Sequence, residues 1–285
     1  MGKASRRKNQ ESSKPKRQEV AFVDRPFEGI KGATELVAMR EILPMAYAEI
    51  ALKGGEKVLL VTMLPDQMPG LKRQDGTVVV AMQARMNSGD ASRDVAYAIE
   101  EAQKLEPGTP LQLSELPEPG ARLQDLLPKT AKIEAHVTED FSFWIDPAAE
   151  RTEELEHALQ DASGAAVPMA RVEGTDSAFW ASMGKEFLRW IRGEDEAQLL
   201  TALTRLHAAR ESELAEGARM IGAFRACGML VPVWELVPGT EASELAGPVA
   251  AFEQRLTAAL KNTDPLTSDE KRVREGLISR QVNLR

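Results

Sequence analysis

Three short patterns in this sequence combine residue types that can do chemistry. Glu154 and His157 stand three apart, the spacing that places a carboxylate and an imidazole on one helical face, as in carboxylate-bridged di-iron bundles. Such a site needs the element twice, and it occurs once, so a solvated helix face is the competing reading. Ser182 and Lys185 form Ser-x-x-Lys, in which a lysine activates a serine, but the Ser-Asp-Asn and Lys-Thr-Gly elements that accompany it are absent. Cys227 follows Arg225 and Ala226 on what reads as a helix. A neighbouring arginine lowers a thiol pKa, whereas burial as a small apolar residue makes it inert.

The three histidines, His136, His157 and His207, lie far apart, and no Cys–His spacing resembles a zinc site. There is no phosphate-binding glycine loop and no Gly-x-Ser-x-Gly. No metal or cofactor is implied. A catalytic site, if present, has to be assembled from distant segments, and His207, Arg225 and Glu235 are the candidates for such a pocket.

The other chemical signal is electrostatic. Lys3, Arg6, Arg7, Lys8, Lys14, Lys16 and Arg17 crowd the first 17 residues beside one acid, Glu11. The whole chain carries −8, so removing this +6 segment leaves a body near −14. A flexible cationic arm neutralises phosphates and releases counterions, which gives salt-sensitive, sequence-independent binding of RNA or ribosomes. It has no aromatic residue for base stacking. A merely solubilising terminus is the alternative. The acidic body itself repels nucleic acid.

A single cysteine excludes an intramolecular disulfide and fits a reducing, cytoplasmic setting. No apolar run approaches the length that spans a bilayer.

The strongest strand signal lies in residues 47–86. Ile50/Leu52, Val58–Thr62 and Val78–Val80 are separated by turns at Gly54-Gly55 and Asp75-Gly76, which predicts an antiparallel meander. Helices that cover it are predicted over 34–43, ended by Pro44, and from an Asp90 cap through Val95, Ile99 and Ala102. Residues 132–145 alternate as two strands, and 166–172 as another. Residues 148–162, 177–191, 195–208 and 211–227 read as helices, with Trp180, Met183, Phe187 and Ile191 on one stripe beside Trp190. Residues 229–237 form a strand in which Pro232 argues for an edge or bulge position. Pro248 opens a further helix, and Thr267–Glu270 is a capping box for the last. ELVAMREILPMAYAEIAL and ARMIGAFRACGMLVPVWEL both read as a helix feeding a strand, a faint internal echo.

The fold class expected is α+β: a basic tail at 1–18, expected to be disordered; a sheet-containing half at 19–128 with its meander covered by helices; and a helix-rich half at 129–285 with a few further strands.

GAFRACGMLVPVWEL and the end PLTSDEKRVREGLISRQVNLR, with RPFEGIKGATELVAMREILP and FWASMGKEFLRWIRGEDEAQLLTALTRLHAA, resemble an actinobacterial family of uncharacterised proteins. Some of its members carry labels such as preprotein translocase or topoisomerase. The resemblance implies a cytosolic origin and transfers no catalytic residue, since the nucleotide loop of the first label is missing and Tyr47 and Tyr97 are the only tyrosines.

The function expected is therefore a non-catalytic binding or adaptor protein, RNA- or ribosome-associated through its tail, with a further protein partner and no membrane association. The alternatives are an enzyme whose site no motif carries and a homo-oligomeric structural protein, which would expose the Trp180–Trp190 stripe.

Overall fold

The computed structural model describes residues 17–147, 150–279 and 282–283. The fold is α+β, with two six-stranded sheets. The basic residues Lys3, Arg6, Arg7, Lys8, Lys14 and Lys16 lie outside the described residues.

The first helix, α1 (Ala33–Glu41), starts after Gly32, whose φ of 92° and close approach to the Ile133 carbonyl leave no room for a Cβ. Five consecutive α1 residues, Glu35 to Met39, are buried. A helix buried on all sides packs between layers rather than on a surface. Strands β1 (Ala46–Ala51), β2 (Lys57–Val61), β3 (Gly70–Lys72) and β4 (Val78–Ala81) follow, then α2 (Ala91–Gln103), β5 (Thr109–Pro110), the single turn α3 (Leu123–Leu126) and β6 (His136–Val137). Their order is β5-β3-β4-β2-β1-β6. β1 and β2 form the expected hairpin, but β4 lies parallel to β2, because β3 intervenes as an antiparallel partner on its far side. Asp90 caps α2 by accepting the Ser92 N–H at 3.0 Å, and Arg122 holds the same carboxylate through its Nε at 2.6 Å.

The second half follows with α4 (Glu153–Gly164), β7 (Met169–Arg171), β8 (Ala178–Ser182), β9 (Glu186–Trp190), α5 (Glu196–Ala208), β10 (Arg219–Ala226), β11 (Met229–Glu235), α6 (Ala246–Lys261), α7 (Ser268–Ser279) and β12 (Val282–Asn283). Its sheet runs β12-β10-β11-β9-β8-β7. Two expected helices are strands. Residues 177–191 form the β8–β9 hairpin around Gly184 (φ 77°). Over five residues, AFWAS and EFLRW satisfy a period of two as well as a helical one, and their aromatic content favours the strand. Residues 219–226 pair with β11 through a two-residue turn, Cys227-Gly228, with φ of 43° and 67°. Positive φ at both centres is the hairpin geometry that matches strand twist. Cys227 therefore sits in a turn, and the helix-into-strand echo dissolves, because its second copy is strand-turn-strand.

The tryptophan stripe dissolves with the helix. Trp180 and Trp190 pack with the apolar group under α5 and α6, and each indole N–H donates to a carbonyl, of Thr240 and Asp176. Phe187 alternates to the other side of β9 from Trp190. Pro232 pairs with Ala223 of β10, while the ladder to β9 takes up only at Val233, so its missing N–H falls outside that ladder. The expected strand at 141–145 is a 3₁₀ turn, Ser142–Trp144, laid over the first sheet. α4 begins later than expected, at Glu153 behind the Thr152 cap. The capping box of α7 is present, with Thr267 N–H on the Glu270 carboxylate at 2.7 Å.

One apolar core joins the sheets. Leu36, Met39, Leu60 and Val80 from the first half pack in the same cluster as Phe179, Ile191 and Val231 from the second. Beside it lies an ion pair between a buried carboxylate and a partly buried arginine. Glu35 of α1 receives the Arg171 guanidinium of β7 on both carboxylate oxygens, the Ser177 hydroxyl at 2.7 Å and the Ala135 N–H at 3.2 Å. Arg171 also donates to the Ala135 carbonyl and lies 5.1 Å over the Phe179 ring. Burial alone would raise the Glu35 carboxyl, but the bonds and charge of Arg171, with Ser177 and Ala135, overcome it and hold the pKa below the ordinary carboxylate value.

A folded-state pKa below the unfolded one stabilises the protein above the unfolded value, about 4.3 for Glu, and that contribution fades as pH falls through the folded value. Glu35→Ala should therefore lower the unfolding free energy at pH 7 by about 3–5 kcal/mol, because it strands the Arg171 charge. The variant should also lose part of the stability decline below pH 4.3. Urea unfolding at pH 7 and pH 3.5 measures both.

Candidate functional site

A cleft of about 660 Å³ opens over the first sheet, between strands β1 and β2 and the segment 142–147. That volume lies in the range of small-ligand pockets. An aromatic cluster holds its lid segment in place: Trp144 stacks on Phe141 at 4.2 Å and donates its indole N–H to the Met63 carbonyl at 2.8 Å. Phe143 turns inward, 6.5 Å from the Tyr47 ring, and Tyr47 rests against His136 at 5.1 Å. Leu59, Phe143 and Ile145 supply an apolar wall, and Lys57 and Glu49 are exposed at the mouth.

Arg73 is the unusual member of this lining. It follows β3 in a turn closed by its own N–H on the Thr77 carbonyl at 2.9 Å, which drives the side chain back over the sheet. The residue is only 9 % exposed. Nη2 donates to the Phe143 carbonyl at 2.5 Å, while the buried Nε has no acceptor. Burial lowers the Arg73 pKa, and the charges of Asp146 and Asp75 act against that. Neither carboxylate reaches ion-pair distance of it. Arg93 and Arg192 are buried to the same degree, and each has carboxylate partners: Glu100 for the first, Glu194 and Glu253 for the second. Among the described residues, Arg73 is the one buried arginine with no carboxylate within 4 Å.

The polar groups around Arg73 divide by sign. Asp75 accepts the Thr77 N–H and Asp146 the Gln74 N–H, each at 2.8 Å, and Arg151 is bound to Glu156 at 2.9 Å. The bonds from Thr77 hold the Asp75 carboxyl below its ordinary pKa. The Lys57 ammonium and the hydroxyls of Tyr47 and Ser142 make no hydrogen bond to the described residues. Close to Arg73 the cleft presents donors beside two carboxylates that each already accept a backbone N–H, while the Glu49 carboxylate stays open at the mouth.

The pocket residues expected from sequence do not converge. His207 ends α5 with Nδ1 2.8 Å from the Ser212 hydroxyl. Arg225 forks onto Glu196, whose hydrogen bond and charge raise its pKa. Glu235 binds Lys185 at 2.9 Å, with Arg219 at 3.7 Å. In the β10–β11 ladder Arg225 lies opposite Leu230 and Glu235 opposite Arg219, six residues apart and therefore about 20 Å apart along the strand. Arg17, the one basic tail residue described, donates to Glu115 and to the Leu116 carbonyl. Lys185 is committed to Glu235 rather than to Ser182. Among the described residues no group of three or more His, Cys, Asp or Glu is placed to hold a metal ion.

Sequence reading missed Arg73, Lys57 and the Tyr47–Phe143 pair. Arg73 stands beside the Asp75-Gly76 turn, where a charged residue reads as solvated. Its burial is created by a segment 70 positions away.

The family of unknown function DUF5926 matches residues 26–285, and the chain belongs to it. No curated protein and no solved structure matches the chain.

Cys227 is the chain's one thiol, and burial pushes its pKa to about 12, with the Glu41 carboxylate adding to the effect. At pH 8 its thiolate fraction is on the order of 10³-fold below that of a free cysteine of pKa about 8.5. Iodoacetamide should accordingly alkylate the native protein about that much more slowly than the urea-unfolded chain, read by intact mass.

Proposed function

We propose that this member of the DUF5926 family is a non-catalytic binding protein that holds a small ligand in the cleft over its first sheet. The observation that carries the reading is the cleft's lining, in which an apolar wall and unpartnered donors face one space. The chain's nucleophile candidates are occupied or suppressed, since Lys185 is paired with Glu235 and the Cys227 thiol has a pKa near 12. A binding role also suits the aromatic packing that holds segment 142–147, because a pre-formed site loses less entropy on association. No helix among the described residues is long and apolar enough to cross a membrane. With a single cysteine in the chain, we place the protein in the cytoplasm.

A second reading, association with RNA or ribosomes through the basic tail, has its own support. The chain is tied to the body from the end of the tail onward. Gln18 N–H donates to Glu118 at 3.2 Å, and Arg25 reaches the carbonyls of Gly228 at 3.1 Å and Glu194 at 2.8 Å. The six cations of residues 1–16 precede a point where the chain is joined to an acidic body, and a partner of that body would be carried to the polyanion.

Two measurements test these readings. A ligand that fills the cleft should add about 2.7 kcal/mol of stability at roughly 100 times its Kd, seen as a rise in Tm, and should be recovered unchanged. Recovery of a converted product would overturn the non-catalytic reading. For the tail, the six cations of residues 1–16 predict a log affinity against log salt slope of about −4 on single-stranded RNA, lost when residues 1–16 are deleted. A slope unchanged by the deletion would remove the tail from the account.

A further inference from the structure

We propose that the cleft is an oxyanion site, taking a carboxylate or phosphate group carried on a flat apolar body, with Arg73 as the anchoring cation. This deepens the reading of the cleft as a ligand site and rests on it. The argument begins with the three equally buried arginines. Arg93 and Arg192 each have at least one carboxylate within 3 Å or closer, and Arg192 also stacks on Trp190 at 4.6 Å. Arg73 has a single carbonyl and no carboxylate; its buried Nε has no acceptor, a feature it shares with the less buried Arg205, Arg255 and Arg274. A buried cation is costly unless an anion and hydrogen bonds compensate it, and a guanidinium does not escape by losing its proton. The geometry therefore lacks one partner, and the partner it lacks is an anion.

The rest of the lining defines the anion's kind. Lys57, the Tyr47 hydroxyl and the Ser142 hydroxyl line the same cleft and offer further donors. The carboxylates nearest Arg73 each accept a backbone N–H, Asp75 from Thr77 and Asp146 from Gln74, and the open carboxylate, Glu49, lies at the mouth, so the donors dominate beside Arg73. Planar guanidinium forks favour carboxylate and phosphate oxygens over spherical ions. Glu49, Asp75 and Asp146 also line the space, and their charges oppose a long polyphosphate while leaving one oxyanion near Arg73 tolerable. Leu59, Ile145 and the rings of Tyr47 and Phe143 supply the surface for an apolar or aromatic remainder.

The test titrates the full-length ¹⁵N-labelled protein with phenyl phosphate, benzoate, inorganic phosphate and the neutral benzyl alcohol, each to about 10 mM, a range that reaches weak fragment affinities. The two aromatic anions should shift the amides of Tyr47, Leu59, Thr77 and residues 142–146. Both should bind at least tenfold more tightly than benzyl alcohol, and inorganic phosphate should bind more weakly than phenyl phosphate. Arg73→Gln should weaken both aromatic anions at least tenfold, while its ligand-free Tm stays equal to or above that of the parent, since the substitution removes an uncompensated charge. If benzyl alcohol shifts the same amides as strongly as phenyl phosphate, the cleft remains a ligand site and the oxyanion assignment is overturned. If no probe perturbs those amides, both fall. A variant that melts several degrees lower yet binds the anions as before would show Arg73 to be structural and would also overturn the assignment.

Discussion

The carboxylate of Glu35 is the constraint around which this fold closes. It lies in the first turn of a helix buried on every side, where an unpaired charge cannot remain. Its compensation comes from residues 100 and more positions away: Ala135 before β6, Arg171 on β7 and Ser177 ahead of β8. The pairing works only when the second sheet is seated against α1. Apolar packing between the sheets is non-directional, so it does not by itself choose one arrangement. The buried pair supplies the direction, because a displaced sheet would leave two charges without partners.

Arg73 shows the same physics left incomplete. Where Glu35, Arg93 and Arg192 are each answered by opposite charge, Arg73 is enclosed by the 142–147 segment and answered by one carbonyl. Native structures satisfy nearly all their buried polar groups, so an unsatisfied one calls for a specific explanation. Arg205, Arg255 and Arg274 also bury an Nε without an acceptor, but Arg73 is the one of the four whose whole residue is buried, and it lies beside unpartnered donors in a ligand-sized cleft, which the oxyanion proposal explains together. The aromatic packing of Phe141, Phe143 and Trp144 makes the site rigid enough to keep that arrangement.

The two ends of the molecule have different electrostatic character. A basic segment opens the chain ahead of an acidic body, and Arg17, Gln18 and Arg25 stitch the chain to both halves. The cleft lies on the first sheet, and its proposed ligand is small, so polyanion binding and ligand binding need not compete for the same groups.

The sequence by itself determined the α+β class and the elements whose signals are local. These are α1 before Pro44, the Asp90-capped α2, the β1–β2 hairpin, α5, β11, the Pro248 helix and the Thr267 capping box. Caps, prolines and glycine turns act over four or five residues, so the chain states them directly. Only the tertiary structure decided that residues 178–190 and 219–226 are strands. Their five- to eight-residue patterns fit both periods, and the choice depends on partners that complete the ladder. It also decided that β4 pairs in parallel with β2, and that His207, Arg225 and Glu235 stay apart. The cleft was least legible of all. Arg73 becomes unusual only once Phe143 closes over it, and burial is a property that no spacing within the sequence encodes.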